Sequence, residues 1–137
     1  MILVDTNVWS ELNKRRGDFR VIEWLGRNEA QLRLSVLAIA ELRAGYENPR
    51  ARPIRPKLEL WLADLETTFA DRIETFDARD AHVYGQLAAQ RTIGAKVLDV
   101  QLAAQALARD MAVATRNVRD FAWTGVKLID PWSDQSH

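Results

Sequence analysis

At 137 residues the chain is long enough to bury a core and too short for two ordinary domains. Hydrophobic residues make up 47% and charged residues 28%, the balance of a globular domain, while 19 Lys and Arg cancel 19 Asp and Glu and remove net charge as a guide to partners. There is no Cys, which excludes disulfides and thiolate metal sites.

Ile2–Val4 is a short apolar run suited to a buried parallel strand. Asp5, Thr6 and Asn7 follow, all capping types, and residues 8–12 read as a short helix. With no basic or long apolar stretch before Asp5, a signal peptide and a membrane span are not expected, and the expected location is cytoplasmic. Gly17 and Asp18 reset the chain ahead of an amphipathic helix carried by Phe19, Ile22, Trp24 and Leu25. Residues 32–34 predict a second strand. Ser35 then caps a helix through Tyr46, with Val36, Ile39 and Ala40 on one stripe.

Pro49, Pro53 and Pro56 among arginines predict an exposed loop over 48–56. Leu58, Leu62, Leu65 and Phe69 mark the next helix. Residues 73–76 predict a third strand and 77–90 a helix packed through Ala81, Tyr84, Leu87 and Ala88. Past Gly94, Val97–Ala108 is a helix of small residues and Ala112–Ala114 a fourth strand. A polar turn over 115–119 leads to a fifth strand at 127–129, and Pro131 ends the order. Strands alternating with helices predict one α/β domain over 1–137, an open, mostly parallel five-stranded sheet covered on both faces.

In such sheets chemistry gathers at the carboxyl ends of the strands. Asp5 follows the first strand, and Thr115, Arg116, Asn117 and then Asp120 follow the fourth. Asp5 alone reads equally well as a helix cap. Glu41 is harder to explain structurally. Its neighbours three and four residues away are Leu37, Ala38, Ala44 and Gly45, so no intrahelical ion pair accounts for it. Asp99, in the first turn of its helix, suits the helix dipole as well as it suits a site. Three acids on largely apolar faces repel if brought together and then require a cation. Oxygen ligands select a hard ion, Mg²⁺ or Mn²⁺, and with only His82 and His137 zinc is disfavoured. Such a centre implies phosphoryl chemistry. Lys96 and Arg116, close to the candidate ligands, read either as phosphate holders or as solvated charges.

The segments MILVDTNVWSEL, SVLAIAELRAG, VLDVQLAAQALARDMAVATRNVRDF and IDPW, in this order and spacing, resemble the PIN-domain nucleases, with the VapC toxins the closest likeness. The resemblance spans Met1 to Trp132. It implies a three-layer α/β/α sandwich and a Mg²⁺- or Mn²⁺-dependent endoribonuclease. It carries over Asp5 and Asp99 as metal ligands and Glu41 as a ligand or bridging acid. The fourth family acid falls on Asn117, a departure that removes a charge, with Asp120 one turn on as a substitute or a cap. Thr6, Asn7, Lys96 and Arg116 are the substrate-binding candidates. The resemblance also implies a homodimer, an RNA substrate, a VapB-like antitoxin, contact with DNA only through that antitoxin, and no membrane. A housekeeping RNA-processing nuclease and a degenerate, non-catalytic Mg²⁺- or RNA-binding domain are the alternatives. A phospho-acceptor receiver fits worse, because a single acid follows the first strand and Ser35 follows the second.

Overall fold

A computed structural model describes residues 1–90, 94–133 and 135–136. Its sheet has the order β3-β2-β1-β4-β5-β6, where β1 is Ile2–Val4, β2 Leu32–Ser35, β3 Ile73–Glu74, β4 Ala112–Ala114, β5 Leu128–Asp130 and β6 Gln135–Ser136. β1 to β5 run parallel, and β6 joins the edge antiparallel to β5. Among the described residues seven α-helices cover the sheet: α1 Thr6–Trp9, α2 Phe19–Asn28, α3 Val36–Glu47, α4 Arg55–Thr68, α5 Ala78–Ala89, α6 Val97–Ala108 and α7 Val118–Phe121.

The period of two along the central strand divides the core. Ile2 and Val4 point to one face, where they meet Val8, Trp9, Val21, Leu25, Leu65 and Phe69. Leu3 points to the other, against Val100, Ala103, Val113, Phe121 and Leu128. Residues of α1, α2 and α4 thus cover one face and those of α6 and α7 the other, giving the three layers. The small side chains of α6 are what let it lie close: Ala103, Ala104 and Ala106 have no exposure. Strand order reverses between β1 and β4, so the two loops leaving those strands diverge and open a crevice. The Asp5 N–H still bonds the Ala114 carbonyl at 2.9 Å, which places Asp5 and Thr115 side by side at that crevice.

Several elements differ from the sequence expectation. Residues 48–56 are ordered: Asn48 Oδ1 accepts from the Arg50 N–H at 3.0 Å, Pro49–Ile54 forms a 3₁₀ helix, and α4 begins at Arg55. Pro56 sits in the first turn of α4, where its missing N–H has no helical partner to lose. β3 is two residues rather than four: it pairs with β2 at Leu34 and Ser35, β2 gives way to α3 at Val36, and the Gln105 side chain takes the carbonyls of Glu74 and Thr75, at 3.1 and 2.8 Å. The predicted 8–12 helix starts earlier, at Thr6, and tightens into a 3₁₀ turn over Ser10–Asn13. Order does not end at Pro131. Asp130 turns the chain, its Oδ1 accepting from the Trp132 N–H at 2.9 Å, and β6 follows. Gly17 packs against the Glu11 carbonyl, where a Cβ would lie only 2.3 Å from the oxygen, so no other residue fits without a shift. Among the described residues, no helix is long and apolar enough to cross a membrane.

Candidate active site

Asp5 occupies the carboxyl end of β1 as the N-cap of α1. It is buried, with 5% of its surface exposed, and both carboxylate oxygens are engaged. Oδ1 accepts from the Thr6 N–H at 2.8 Å and Oδ2 from the Thr115 hydroxyl at 2.8 Å. Thr115 is itself fully buried at the end of β4, and its Oγ1 accepts from the Asn117 N–H at 3.0 Å. The Thr6 hydroxyl, in turn, donates to Glu41 Oε1 at 2.8 Å. A continuous set of hydrogen bonds therefore runs from the loop after β4, through Asp5, to Glu41 on α3.

Electrostatics bring Asp99 into the same group. Burial pushes the Asp5 carboxyl up to about 6, and the charges of Asp99 and Glu41 push the same way against the Thr115 and Thr6 bonds. Asp99, half-buried in the first turn of α6, is also raised, mainly by burial. Lys96 opposes that shift, and Glu41 and Asp120 add to it. Asp99 and Asp120 line one cavity of about 200 Å³ together with Lys96, Arg119 and Trp123.

The remaining candidates lie around this group. Asn117 is the N-cap residue of α7, and its side chain makes no capping bond. Asn7 Oδ1 accepts from the Arg116 N–H at 3.3 Å, which ties the loop after β4 to α1. The Arg116 guanidinium lies 5.0 Å from the centre of the Trp132 ring, a cation–π contact that holds an exposed charge at the rim. Lys96 is exposed immediately before α6. Two residues central to this geometry were not singled out in the sequence. Thr115 sat within a polar turn, and its position directly after a strand was the available signal. Gln105 is a buried amide within α6, and a polar residue amid Leu, Ala and Val was its signal.

Whether these residues suit a cation is a matter of donor chemistry. Asp5, Glu41 and Asp99 are hard oxygen donors that repel one another, and a buried carboxyl raised to about 6 is relieved by a divalent ion. Each bonded Asp5 oxygen keeps acceptor capacity. As the side chains stand, no three acidic or histidine groups among the described residues converge on a single point. The donor set fits Mg²⁺ or Mn²⁺ in kind.

Comparison with known proteins places the chain. Residues 2–125 match the PIN domain family. The chain is 37% identical to plasmid stability protein StbB of Pseudomonas syringae pv. tomato, over 96% of this chain and 99% of that one. It is 35% identical to VapC ribonuclease Y4jK of Sinorhizobium fredii, over 96% and 98%. Among solved structures, FitAcB from Neisseria gonorrhoeae superposes with a TM-score of 0.79 at 32% identity, covering 96% of this chain and 99% of that chain. FitAB bound to an IR36 DNA fragment gives 0.78 at 30%, covering 96% of each. The sheet order, the acids at the β1/β4 crevice and these matches agree: the chain belongs to the PIN-domain family, among its VapC and FitB relatives.

Proposed function

We propose that this protein is a metal-dependent endoribonuclease serving as the toxin of a cytoplasmic toxin–antitoxin pair. The observation that carries the reading is Asp5, buried at the strand-order reversal, aimed by Thr115 and Thr6, and raised to about 6 with Asp99 and Glu41 as neighbours. Such a group is electrostatically incomplete without a cation. The VapC ribonuclease relative supports the nuclease assignment. Asp5, Glu41 and Asp99 would hold Mg²⁺ or Mn²⁺, which when bound supplies Lewis-acid polarisation of a phosphodiester and a more acidic water.

The chain's own residues supply position. Thr115 and Thr6 each donate to one acid, Asp5 and Glu41, and so orient these two carboxylates. Arg116, held over Trp132, and Lys96 would bind RNA phosphates on either side of the acids. Asn117 and Asp120 complete the rim. As partners, a VapB-like antitoxin and a second copy of the chain are proposed, with DNA reached only through the antitoxin. An open apolar cleft of about 370 Å³ between α2 and α4, lined by Trp9, Leu12, Ile22 and Trp61, supports a protein partner there. Phe19, 73% exposed on α2, extends its apolar surface.

The test is RNA-end sequencing after incubation of single-stranded RNA with purified protein. Cleavage is expected with Mg²⁺ or Mn²⁺ and neither in chelator nor for Asp5→Asn. Near-parental cutting by Asp5→Asn, or cutting in chelator, refutes the reading. A small reading frame directly upstream whose product stops cleavage separates the toxin from a housekeeping nuclease.

A further inference from the structure

We propose that Gln105 is a positioning residue that sets the gap between the two acid-bearing helices and thereby the affinity of the site for its cation. The inference rests on the metal reading above. Gln105 is fully buried in the last turn of α6, where every bond its amide lacks would be costly. It lacks few. Oε1 accepts from the Ser35 hydroxyl at 2.5 Å, and Nε2 donates to the carbonyls of Glu74 and Thr75 at 3.1 and 2.8 Å. Ser35 is the N-cap of α3, and its Oγ also accepts from the Leu37 N–H at 3.0 Å. One amide therefore joins the start of α3, the end of β3 and the last turn of α6.

Its leverage follows from helix geometry. Asp99 precedes Gln105 by six residues on α6, and Glu41 follows Ser35 by six on α3, so each acid lies about 9 Å along its helix from this junction. Both helices are rigid rods over that length. Rotation or slip of α6 at Gln105 displaces Asp99 relative to Glu41 by a similar amount. Arg109, one turn beyond Gln105, is anchored to Glu74 at 3.3 Å and Asp77 at 3.5 Å and also pairs with Asp80. The C-terminal end of α6, distant from Asp99, is thus held at Gln105 and at the C-cap Arg109, and Gln105 alone of the two reaches α3. An apolar residue of equal length would fill the same space and hold neither helix in register.

The experiment is calorimetric titration of Mn²⁺ into the full chain at neutral pH, well below each variant's melting temperature. Parent, Gln105→Met, Ser35→Ala, Ser35→Thr, the Gln105→Met/Ser35→Ala double variant and Asp99→Asn are compared. Gln105→Met and Ser35→Ala are expected to bind Mn²⁺ several-fold more weakly, because the two acid-bearing helices are then held less well in register, and the double variant no more weakly than either. Ser35→Thr, which keeps the hydroxyl, should restore binding to within about twofold of the parent. A lower melting temperature with Mn²⁺ affinity unchanged in Gln105→Met overturns the inference and leaves a purely structural amide. Should Gln105→Met not fold, the Ser35 pair decides: equal binding by Ser35→Ala and the parent overturns it. A parent that binds no Mn²⁺ overturns the metal reading and this inference with it. A parent that binds while Gln105→Met binds equally well overturns the inference alone.

Discussion

The hydroxyl of Thr115 donates to Oδ2 of Asp5 at 2.8 Å, linking the ends of two adjacent strands across 110 residues of sequence. This bond favours the ionised carboxylate and partly offsets the burial that opposes it. Thr115→Val keeps the shape and removes the donor. Asp5 then titrates at higher pH, so the acid limb of the cleavage–pH profile moves up relative to the parent. Metal affinity falls as well, by about tenfold, the usual scale for a lost outer-sphere partner. Parallel pH–rate profiles check this, and superimposable profiles would show that Thr115 does not tune Asp5.

A raised folded-state pKa carries a definite sign. The contribution of Asp5 to stability is full below its ordinary 3.8 and is lost as pH rises through about 6. Across that window the metal-free protein loses up to roughly 3 kcal/mol from this one group. Asp99 is raised too and acts in the same direction. Asp99→Asn is therefore expected to melt higher than the parent in chelator at neutral pH. Mg²⁺ at about 100 times its dissociation constant should stabilise the parent by ~2.7 kcal/mol and barely move the variant. A variant that melts lower in chelator, beside a parent that Mg²⁺ leaves unmoved, would make Asp99 a helix-start residue.

The fourth position is contested between Asn117 and Asp120. Motif position favours Asn117. The geometry favours Asp120, which shares a cavity with Asp99 and raises its pKa. We expect Asp120→Asn to lower single-turnover cleavage by about tenfold with partial rescue by added metal, the signature of a lost outer ligand. Asn117→Ala should cost less. The reverse ranking, with no metal rescue for Asp120→Asn, would return the role to Asn117.

Arg109 offers a test of the scaffold separate from the site. Its side chain is 8% exposed and pairs with Asp80, which has no exposure at all. Asp80 also closes the capping box of α5, accepting from the Asp77 N–H at 2.8 Å. Arg109→Leu strands a buried carboxylate and should destabilise by about 3–5 kcal/mol. Adding Asp80→Asn to that variant should recover part of the loss. Urea unfolding of the single and double variants measures both, and equal stability of the two would mean that water reaches Asp80.

The alternation of strands and helices was legible in the sequence alone, because apolar runs such as Ile2–Val4 and Ala112–Ala114 and the capping types Asp5 and Ser35 are local signals. So were the unexplained acids. Glu41 stood out because no residue three or four positions away could pair with it, and that is a property of neighbours in sequence. Asp5 and Asp99 were legible as candidates and no further, since a cap and a ligand are the same residue type at the same place. Their company is a matter of tertiary packing. Asp5 meets Thr115 because β1 and β4 are adjacent, and Glu41 meets Thr6 because α3 packs beside α1. The buried Gln105 amide meets the Glu74 and Thr75 carbonyls at the end of β3, and Asp130 turns the chain into β6 past a proline that locally marks an end. Strand order and side-chain partners depend on which distant surfaces are buried together, and that is a property of the whole chain rather than of any window of it.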